Sequence, residues 1–265
     1  MIIDRRKLLA SLGGVSAVAL MSDEAKADAL EHHLIAQTNP PVPFPTANEI
    51  ALQIETRPSR KGVGNLFVAG QGNVKRLAPL PDTPTLADYF QLRFTATSNH
   101  CLQSANHAMN AHMSEEVVLA CLLHDTVQEL IKVYHGWWSA QMYEPYVSEK
   151  VAFAIRYHQA LRFYEDKEYG YSYPDLYRQI FGSDYRPEPY IEQAYQRVRK
   201  HRWYVEARMV TVNDLYAFEK GVNPTLDQFS DIIGRHFKQP KEGLGFDNSS
   251  SAHMWRSIGT PDHPL

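Results

Sequence analysis

The sequence predicts an all-α protein. Few runs of residues alternate between apolar and polar with the period of two that is typical of strands. From about residue 83 onward, apolar residues recur at helical spacing, and serines followed by acidic residues mark helix starts. With 265 residues, 44% of them hydrophobic, the chain can bury a sizeable core in one globular domain.

Residues 1–27 have the composition of an export signal. Arg5 and Arg6 precede an apolar run that is shorter than the roughly 20 residues needed to span a bilayer. Residues 25–27 (Ala-Lys-Ala) then offer a small-x-small cleavage pattern. The arginine pair resembles a twin-arginine signal, which implies export of the folded protein to the periplasm. The alternative is a short N-terminal anchor that is not cleaved. No other stretch of the sequence approaches a membrane span.

Residues 28–81 are predicted to form an irregular extension. Four prolines between residues 39 and 45 exclude a helix there and favour an extended run along the surface. Four glycines punctuate residues 62–72, but no strand-to-helix unit follows them, so we expect no phosphate-binding loop.

Helices are predicted in succession over residues 82–239. Ser or Thr at a helix start can accept hydrogen bonds from free backbone N–H groups, and acidic residues favour the positive end of the helix dipole. The predicted starts are residues 83–85, Ser98 or Asn99, Ser114, Ser148, about residue 188, and Asn223-Pro224. The stretch of about 188–219 is amphipathic throughout. The tail, residues 240–265, is rich in Gly, Ser and Pro, and its His253, Met254 and Trp255 are expected to be able to fold back over a pocket.

Charge and cysteine content narrow the function classes. The formal net charge of −3 and the lack of arginine-rich clusters argue against nucleic acid as a partner. The two cysteines, Cys101 and Cys121, can either pair in an oxidising compartment or remain two buried thiols on neighbouring helices. The apolar helical sequence around both favours the buried thiols.

The adjacent residues His124 and Asp125 are the sharpest chemical signal. They end the apolar run of residues 117–123, which predicts that both are buried. A buried carboxylate without a cationic or metal partner would be costly, and imidazole and carboxylate are both common metal ligands. The sequence therefore predicts a metal site at His124-Asp125, in which Asp125 can bridge two ions.

The spacing around this pair resembles the HD-domain superfamily, whose pattern is H…HD…D on a helical bundle. His100 lies 24 residues before His124, and Asp214 follows as the terminal aspartate. The matching segments are residues 99–105, 122–125 and 155–158, and the resemblance covers about residues 85–220. It implies an HD-type metal-binding domain over residues 82–239.

Two further histidines make the pattern similar to the six-ligand version that holds two irons. The nearest likeness is to the HD-domain phosphonate oxygenases and, more distantly, to myo-inositol oxygenase. His135 lies 11 residues after His124, which corresponds to about 16 Å along an unbroken helix. For both histidines to bind at one cluster, the chain must therefore bend between Thr126 and Tyr134, although no glycine or proline marks a bend there. The implied ligands are His100, His124, Asp125, His135, His158 and Asp214.

Three residues are candidates for binding substrate. Arg162 lies one helical turn after His158, where the phosphonate oxygenases carry a lysine that binds the anionic group of the substrate. Its alternative role is a solvated surface arginine, and Arg156 is a second candidate. Tyr89 lies near the place of the lid tyrosine in those enzymes, but no glutamate follows it.

The resemblance implies an oxygenase that uses O2 to cleave a C–P or C–C bond of a small hydroxylated substrate, which can be anionic. It also implies Asp125 as the bridging catalytic residue and two iron ions (Fe2+/Fe3+) as cofactor. A metal-dependent phosphohydrolase, with a divalent metal such as Mn2+, Co2+ or Ni2+, is the first alternative. A periplasmic metal-binding protein without turnover is the second. The oligomeric state stays open.

Overall fold

Ten α-helices follow one another in the computed structural model, which describes residues 77–132, 134–182 and 184–260. No strand occurs in these residues, where the only β-type pairing is an isolated bridge between Asp166 and Tyr171. The all-α prediction is confirmed. The helices are α1 Leu86–Leu92, α2 Ser98–Asn110, α3 Glu115–Leu123, α4 His135–Tyr143, α5 Glu149–Leu161, α6 Asp175–Phe181, α7 Pro189–Val198, α8 Tyr204–Leu215, α9 Ser230–His236 and α10 Ala252–Gly259, with 3-10 turns at Thr126–Glu129 and Leu226–Phe229.

Helix α5 is the centre of the packing. It contacts α3, α4, α7 and α8, while α2 packs against both α3 and α8. Every residue of α3 from Val117 to Leu123 is buried, which explains why this helix has no polar face. Such burial of long aliphatic side chains stabilises each by about 1.5–3 kcal/mol. The packing brings one end of α2, α3, α5 and α8 to a common point in the interior.

Three predicted helix starts are confirmed by their caps. The side chains of Ser114 and Ser148 accept hydrogen bonds from the backbone N–H groups of Val117 and Val151, each at 3.4 Å. Thr85 forms a capping box with Asp88, in which the Asp88 carboxylate accepts the backbone N–H of Thr85 at 2.8 Å.

The start of α2 and the long amphipathic stretch differ from the prediction. Helix α2 begins at Ser98 with Thr97 as its N-cap, and no side chain caps it. The stretch 188–219 is two helices, because the chain turns after Val198 and docks the ring of His201 on Phe153 of α5 at 4.1 Å. This turn lets α8 fold back along α5. Where the sequence predicts one last helix after Asn223-Pro224, the structure has the 3-10 turn Leu226–Phe229 followed by α9.

The tail adds a helix to the hydrophobic core. Trp255 of α10 is fully buried and packs edge-on against Tyr89 at 4.7 Å and Tyr143 at 5.5 Å. The tail thus folds back as predicted, but Trp255 completes the core instead of covering a pocket. The core therefore extends past residue 239 to α10.

The two cysteines are free and buried, as the thiol interpretation predicted. None of the helices in the described ranges is both long and apolar enough to cross a membrane. The predicted export signal, residues 1–27, and most of the predicted extension, residues 28–81, lie outside the described residues.

Candidate metal centre

Six residues that are far apart in the sequence meet at the point where α2, α3, α5 and α8 converge. Each comes from a helix or from the residues directly after one. All are buried except His100, whose side chain is 13% exposed. The six are His100 of α2, His124 and Asp125 after α3, His135 at the start of α4, His158 of α5 and Asp214 of α8.

The first group of ligand atoms comprises His100, His124, Asp125 and Asp214, and these atoms lie within 4.8 Å of one another. Nε2 of His100 lies 3.1 Å from Oδ1 of Asp214, 3.3 Å from Nε2 of His124 and 3.4 Å from Oδ2 of Asp125. Ligand atoms about 2.1 Å from one ion stand about 3.0–3.4 Å apart at tetrahedral or octahedral angles. These separations therefore fit the edges of a single coordination shell.

The second group comprises Asp125, His135 and His158. Nε2 of His135 lies 2.9 Å from Oδ1 of Asp125 and 3.3 Å from Nε2 of His158. Nε2 of His158 lies 3.3 Å from the same carboxylate oxygen. The second group can therefore hold an ion of its own, and Asp125 belongs to both groups.

The Nδ1 atoms of the four histidines face backbone carbonyls. Those of His124, His135 and His158 lie 2.7, 2.8 and 2.6 Å from the carbonyl oxygens three residues before them. Nδ1 of His100 lies 3.2 Å from the carbonyl oxygen of Ala217. A carbonyl only accepts, so each Nδ1 carries a proton and donates it, and in the neutral form of each ring the Nε2 lone pair is directed at the cluster.

This proton arrangement tests whether the residues fit a metal. Oδ1 of Asp125 is buried and has no hydrogen-bond partner among the described atoms, although Nε2 of His135 lies only 2.9 Å away. With only Nδ1 protonated, both atoms are acceptors, and two buried acceptors at this distance are stabilised when a proton or a metal ion lies between them. A metal ion can fill this role, so the chemistry of Asp125 and His135 fits a metal at the second group.

Mutual contacts also shift the pKa values of these side chains. Burial alone would lower the pKa of His100, but the carboxylates of Asp125 and Asp214 outweigh it and raise this pKa to about 10. Burial lowers the pKa of His158 to about 4. For Asp125 and Asp214 burial would raise the pKa, yet the neighbouring histidines lower it. The cluster therefore favours carboxylates in the anionic form that ligates metals.

The bend that His135 requires is present. Helix α3 ends at Leu123, the 3-10 turn Thr126–Glu129 follows, and α4 begins at His135. The residue before it, Tyr134, has a left-handed backbone with φ of 57°. Gly136 lies so close to α5 that a Cβ there would be 3.0 Å from Cε1 of His158. This close approach of α4 to α5 places His135 beside His158.

Two polar residues that sequence reasoning missed contact the carboxylates. The side-chain amide of Gln128 donates to Oδ2 of Asp125. The hydroxyl of Tyr177 in α6 donates to Oδ2 of Asp214 at 3.3 Å. Gln128 lies three residues after Asp125, and this short spacing could have indicated the contact from the sequence. Nothing in the sequence near Tyr177 indicates its contact with Asp214. Both contacts orient the carboxylates toward the histidines.

The three predicted substrate residues lie in different places. The guanidinium of Arg162, at the end of α5, lies 5.5 Å from the ring centre of Tyr177 and therefore next to the cluster. Arg156 faces away from it and forms an ion pair with Glu144 at 3.3 Å. Tyr89 is buried in the core, and its hydroxyl donates to the carbonyl of Trp255 at 2.9 Å. This packing indicates a structural role for Tyr89 instead of the predicted substrate contact.

The cluster is nearest to solvent beside His100. Phe218 is 63% exposed and its ring lies 4.7 Å from the ring of His100. A separate cavity of about 330 Å³ is lined by residues that include Phe163, Glu165, Tyr173 and Arg178. Arg162 does not line this cavity, but its guanidinium lies 5.1 Å from the ring centre of Phe163, which does.

No protein-family model matches the sequence, and no curated protein sequence matches it significantly.

Proposed function

We propose that this protein is a two-metal oxygenase of the HD-domain type that acts on a small hydroxylated, anionic substrate. The observation that carries the proposal is the shared carboxylate: Asp125 belongs to both groups of ligand atoms, and each group has at least two histidines. A carboxylate shared in this way would hold two ions close to each other, as two-metal enzymes require.

The donor set supports iron as the metal. Four imidazoles and two carboxylates provide mixed nitrogen and oxygen ligands, which suit iron among the transition metals. When bound, two irons would supply the electrons for reaction with O2. The order H…HD…D and the two middle histidines, which we compared with HD-domain oxygenases, support the same assignment.

The protein side chains would hold and orient the reactants. Asp125 and Asp214 balance the charge of the ions, and the backbone carbonyls keep the histidine rings in place. Burial of the cluster excludes bulk water from the reacting atoms. Arg162, whose guanidinium contacts the rings of Tyr177 and of Phe163 at the 330 Å³ cavity, would bind an anionic group of the substrate. We further propose export to the periplasm by the twin-arginine route.

Metal analysis and electron paramagnetic resonance (EPR) of the full-length protein, reconstituted anaerobically with Fe(II), test the proposal. We expect two irons per chain and, on partial oxidation, a coupled Fe(II)/Fe(III) signal. A small hydroxyphosphonate or a polyol should change that signal and then consume O2. One divalent ion per chain with phosphatase activity would instead establish a phosphohydrolase. Two bound irons without O2 consumption would establish a metal-binding protein without turnover.

Arg162→Gln tests the substrate contact within this proposal. We expect it to raise KM for an anionic phosphonate by about tenfold or more, because an arginine pairs with phosphonate oxygens through two hydrogen bonds. KM for a neutral polyol should change little. Arg199→Gln, on the exposed end of α7, is the matched control. An equal rise in KM for both substrates would remove Arg162 from the binding role.

A further inference from the structure

A second cavity is lined by none of the six residues of the candidate metal centre. It has a volume of about 200 Å³ and is bounded by residues of α4, α5 and α7. Four of the side chains that line it are aromatic and two are arginines. These six are Tyr134, Trp137, Tyr157, Tyr190, Arg156 and Arg197.

The aromatic side chains form walls suited to a flat ring. The ring of Tyr134 meets that of Tyr190 edge-on, with 4.8 Å between the ring centres. The rings of Tyr134 and Trp137 are nearly parallel, with an angle of 9° between their planes and 6.4 Å between their centres. Aromatic rings prefer such edge-on and offset contacts with one another, and a ligand ring can make the same contacts. Sites for drug-sized ligands span about 300–1,000 Å³, so this smaller cavity fits a ligand with a single ring.

The charges around the cavity favour an anion. Within the described chain, no carboxylate lines it. Arg156 makes one ion pair, 3.3 Å from Glu144, whose side chain is 53% exposed. Exposed ion pairs of this kind contribute little to stability, so an incoming carboxylate can compete with Glu144 for Arg156. Arg197 contributes a second positive charge to the same cavity.

We propose that this cavity binds a small aromatic carboxylate, with the ring between the tyrosine and tryptophan side chains and the carboxylate between Arg156 and Arg197. The two guanidinium groups can donate paired hydrogen bonds to carboxylate oxygens. The planar ring also lets the arginines stack on it, so charge and shape select the same ligand class.

Binding there is coupled to the second group of metal ligands. Tyr134 directly precedes His135, and Tyr157 directly precedes His158, so the cavity and the second group share two segments of backbone. Tyr134 has a left-handed backbone, which is strained for a residue other than glycine. A ligand that holds the ring of Tyr134 stabilises this conformation and hence the position of His135. This coupling rests on the proposed metal centre, whereas the carboxylate site does not.

Calorimetric titration of the full-length protein with benzoate tests the site. We expect saturable 1:1 binding, with Arg156→Gln and Arg197→Gln each weakening it by about fivefold or more. Glu144→Gln should tighten it, because Arg156 loses its competing partner. Arg199→Gln, on the same helix end but outside the cavity, should bind like the unmodified protein. Circular dichroism checks that each variant is folded, and the exposed Arg197 keeps the test informative if Arg156→Gln fails to fold.

Benzamide, which is neutral and nearly the same shape, separates charge from shape. Binding of benzamide as tight as that of benzoate, or equal weakening by Arg199→Gln, would overturn the site. For the coupling, saturating benzoate should reduce the rate of metal loss from the second group to a chelator by about threefold or more. An unchanged rate with benzoate bound would overturn the coupling alone. Loss of benzoate binding with two metals retained would overturn the cavity proposal and leave the proposed oxygenase intact.

Discussion

Oδ1 of Asp125 lies 2.9 Å from Nε2 of His135, although a 3-10 turn and a left-handed residue separate them along the chain. Asp125 also belongs to the group that contains His100 and His124. This carboxylate is therefore the connection between the two groups of ligands, and the first prediction concerns its removal.

Asp125→Ala should abolish binding of both metals, whereas His135→Ala should remove only one. The reason is that Asp125 contributes to both groups and His135 to the second alone. Metal content per chain by plasma mass spectrometry gives the measurement. His253→Ala, an exposed histidine of α10, is the control and should keep two metals. Two metals retained in His135→Ala would show that this histidine is not a ligand.

Gly136→Ala should destabilise the protein by about 1–3 kcal/mol and weaken the second metal group, because overpacking forces helices apart. The added methyl would lie 3.0 Å from Cε1 of His158 and from the carbonyl oxygen of Ile155. Urea unfolding and metal content measure the two effects. Gly234→Ala is the matched control, since nothing lies within 4 Å of its Cβ position in α9. There the change should stabilise the protein by about 0.5–1 kcal/mol. A Gly136→Ala variant as stable as the control would contradict the close approach.

The metal-free protein should be most stable near pH 6.5. The pKa of His100 is raised to about 10 in the folded state, so its contribution is complete below pH 6.5 and is lost as pH rises toward 10. The pKa of His158 is lowered to about 4, so its contribution is lost as pH falls from 6.5 toward 4. Urea unfolding in a chelator at pH 5, 6.5 and 9 gives the profile.

His100→Asn should reduce the alkaline decline in stability without abolishing it, because the pKa of His124 is also raised by Asp125 and Asp214, and it should leave the acidic decline in place. Added metal should reduce the alkaline decline further, because the ion then takes the place of the protons on both rings. A profile that falls as steeply between pH 6.5 and 9 in His100→Asn as in the unmodified protein would assign the alkaline decline to other groups.

Tyr177→Phe should weaken metal binding at the first group by about tenfold while both metals still bind at saturation. The change removes only the hydroxyl that donates to Asp214 at 3.3 Å, and such outer contacts orient metal ligands. Competition with a chelating dye measures the affinity. Tyr173→Phe removes a hydroxyl from the ring beside Tyr177 and should have no effect. An equal loss of metal affinity in both variants would show that the hydrogen bond from Tyr177 to Asp214 is not the cause.

The sequence predicted those parts of the candidate metal centre that depend on local structure. The apolar run before His124 predicts burial of the pair His124-Asp125, and Ser114 and Ser148 fix the start of the helices that carry His124 and His158. The meeting of these helices, however, depends on side-chain packing between distant segments, which periodicity does not encode.

The bend before His135 and the contact from Tyr177 could not be predicted. Tyr134 adopts a left-handed backbone without being glycine or asparagine, so no residue type marks the bend. Tyr177 reaches Asp214 from α6, 37 residues earlier in the chain. For the tail, glycine and serine content suggested a loop, whereas the burial of Trp255 makes α10 part of the core.

The hydrogen bonds from the histidine Nδ1 atoms have a consequence for how this site tolerates mutation. At His124, His135 and His158 the acceptor is the carbonyl oxygen three residues earlier, which every amino acid provides. Replacing Cys121, Lys132 or Ile155 by another residue that keeps the local backbone leaves that acceptor in place. The orientation of these three histidine rings therefore depends on the path of the main chain and not on the side chains at the three acceptor positions. Substitutions at those positions that keep the backbone in place should leave the rings oriented as they are.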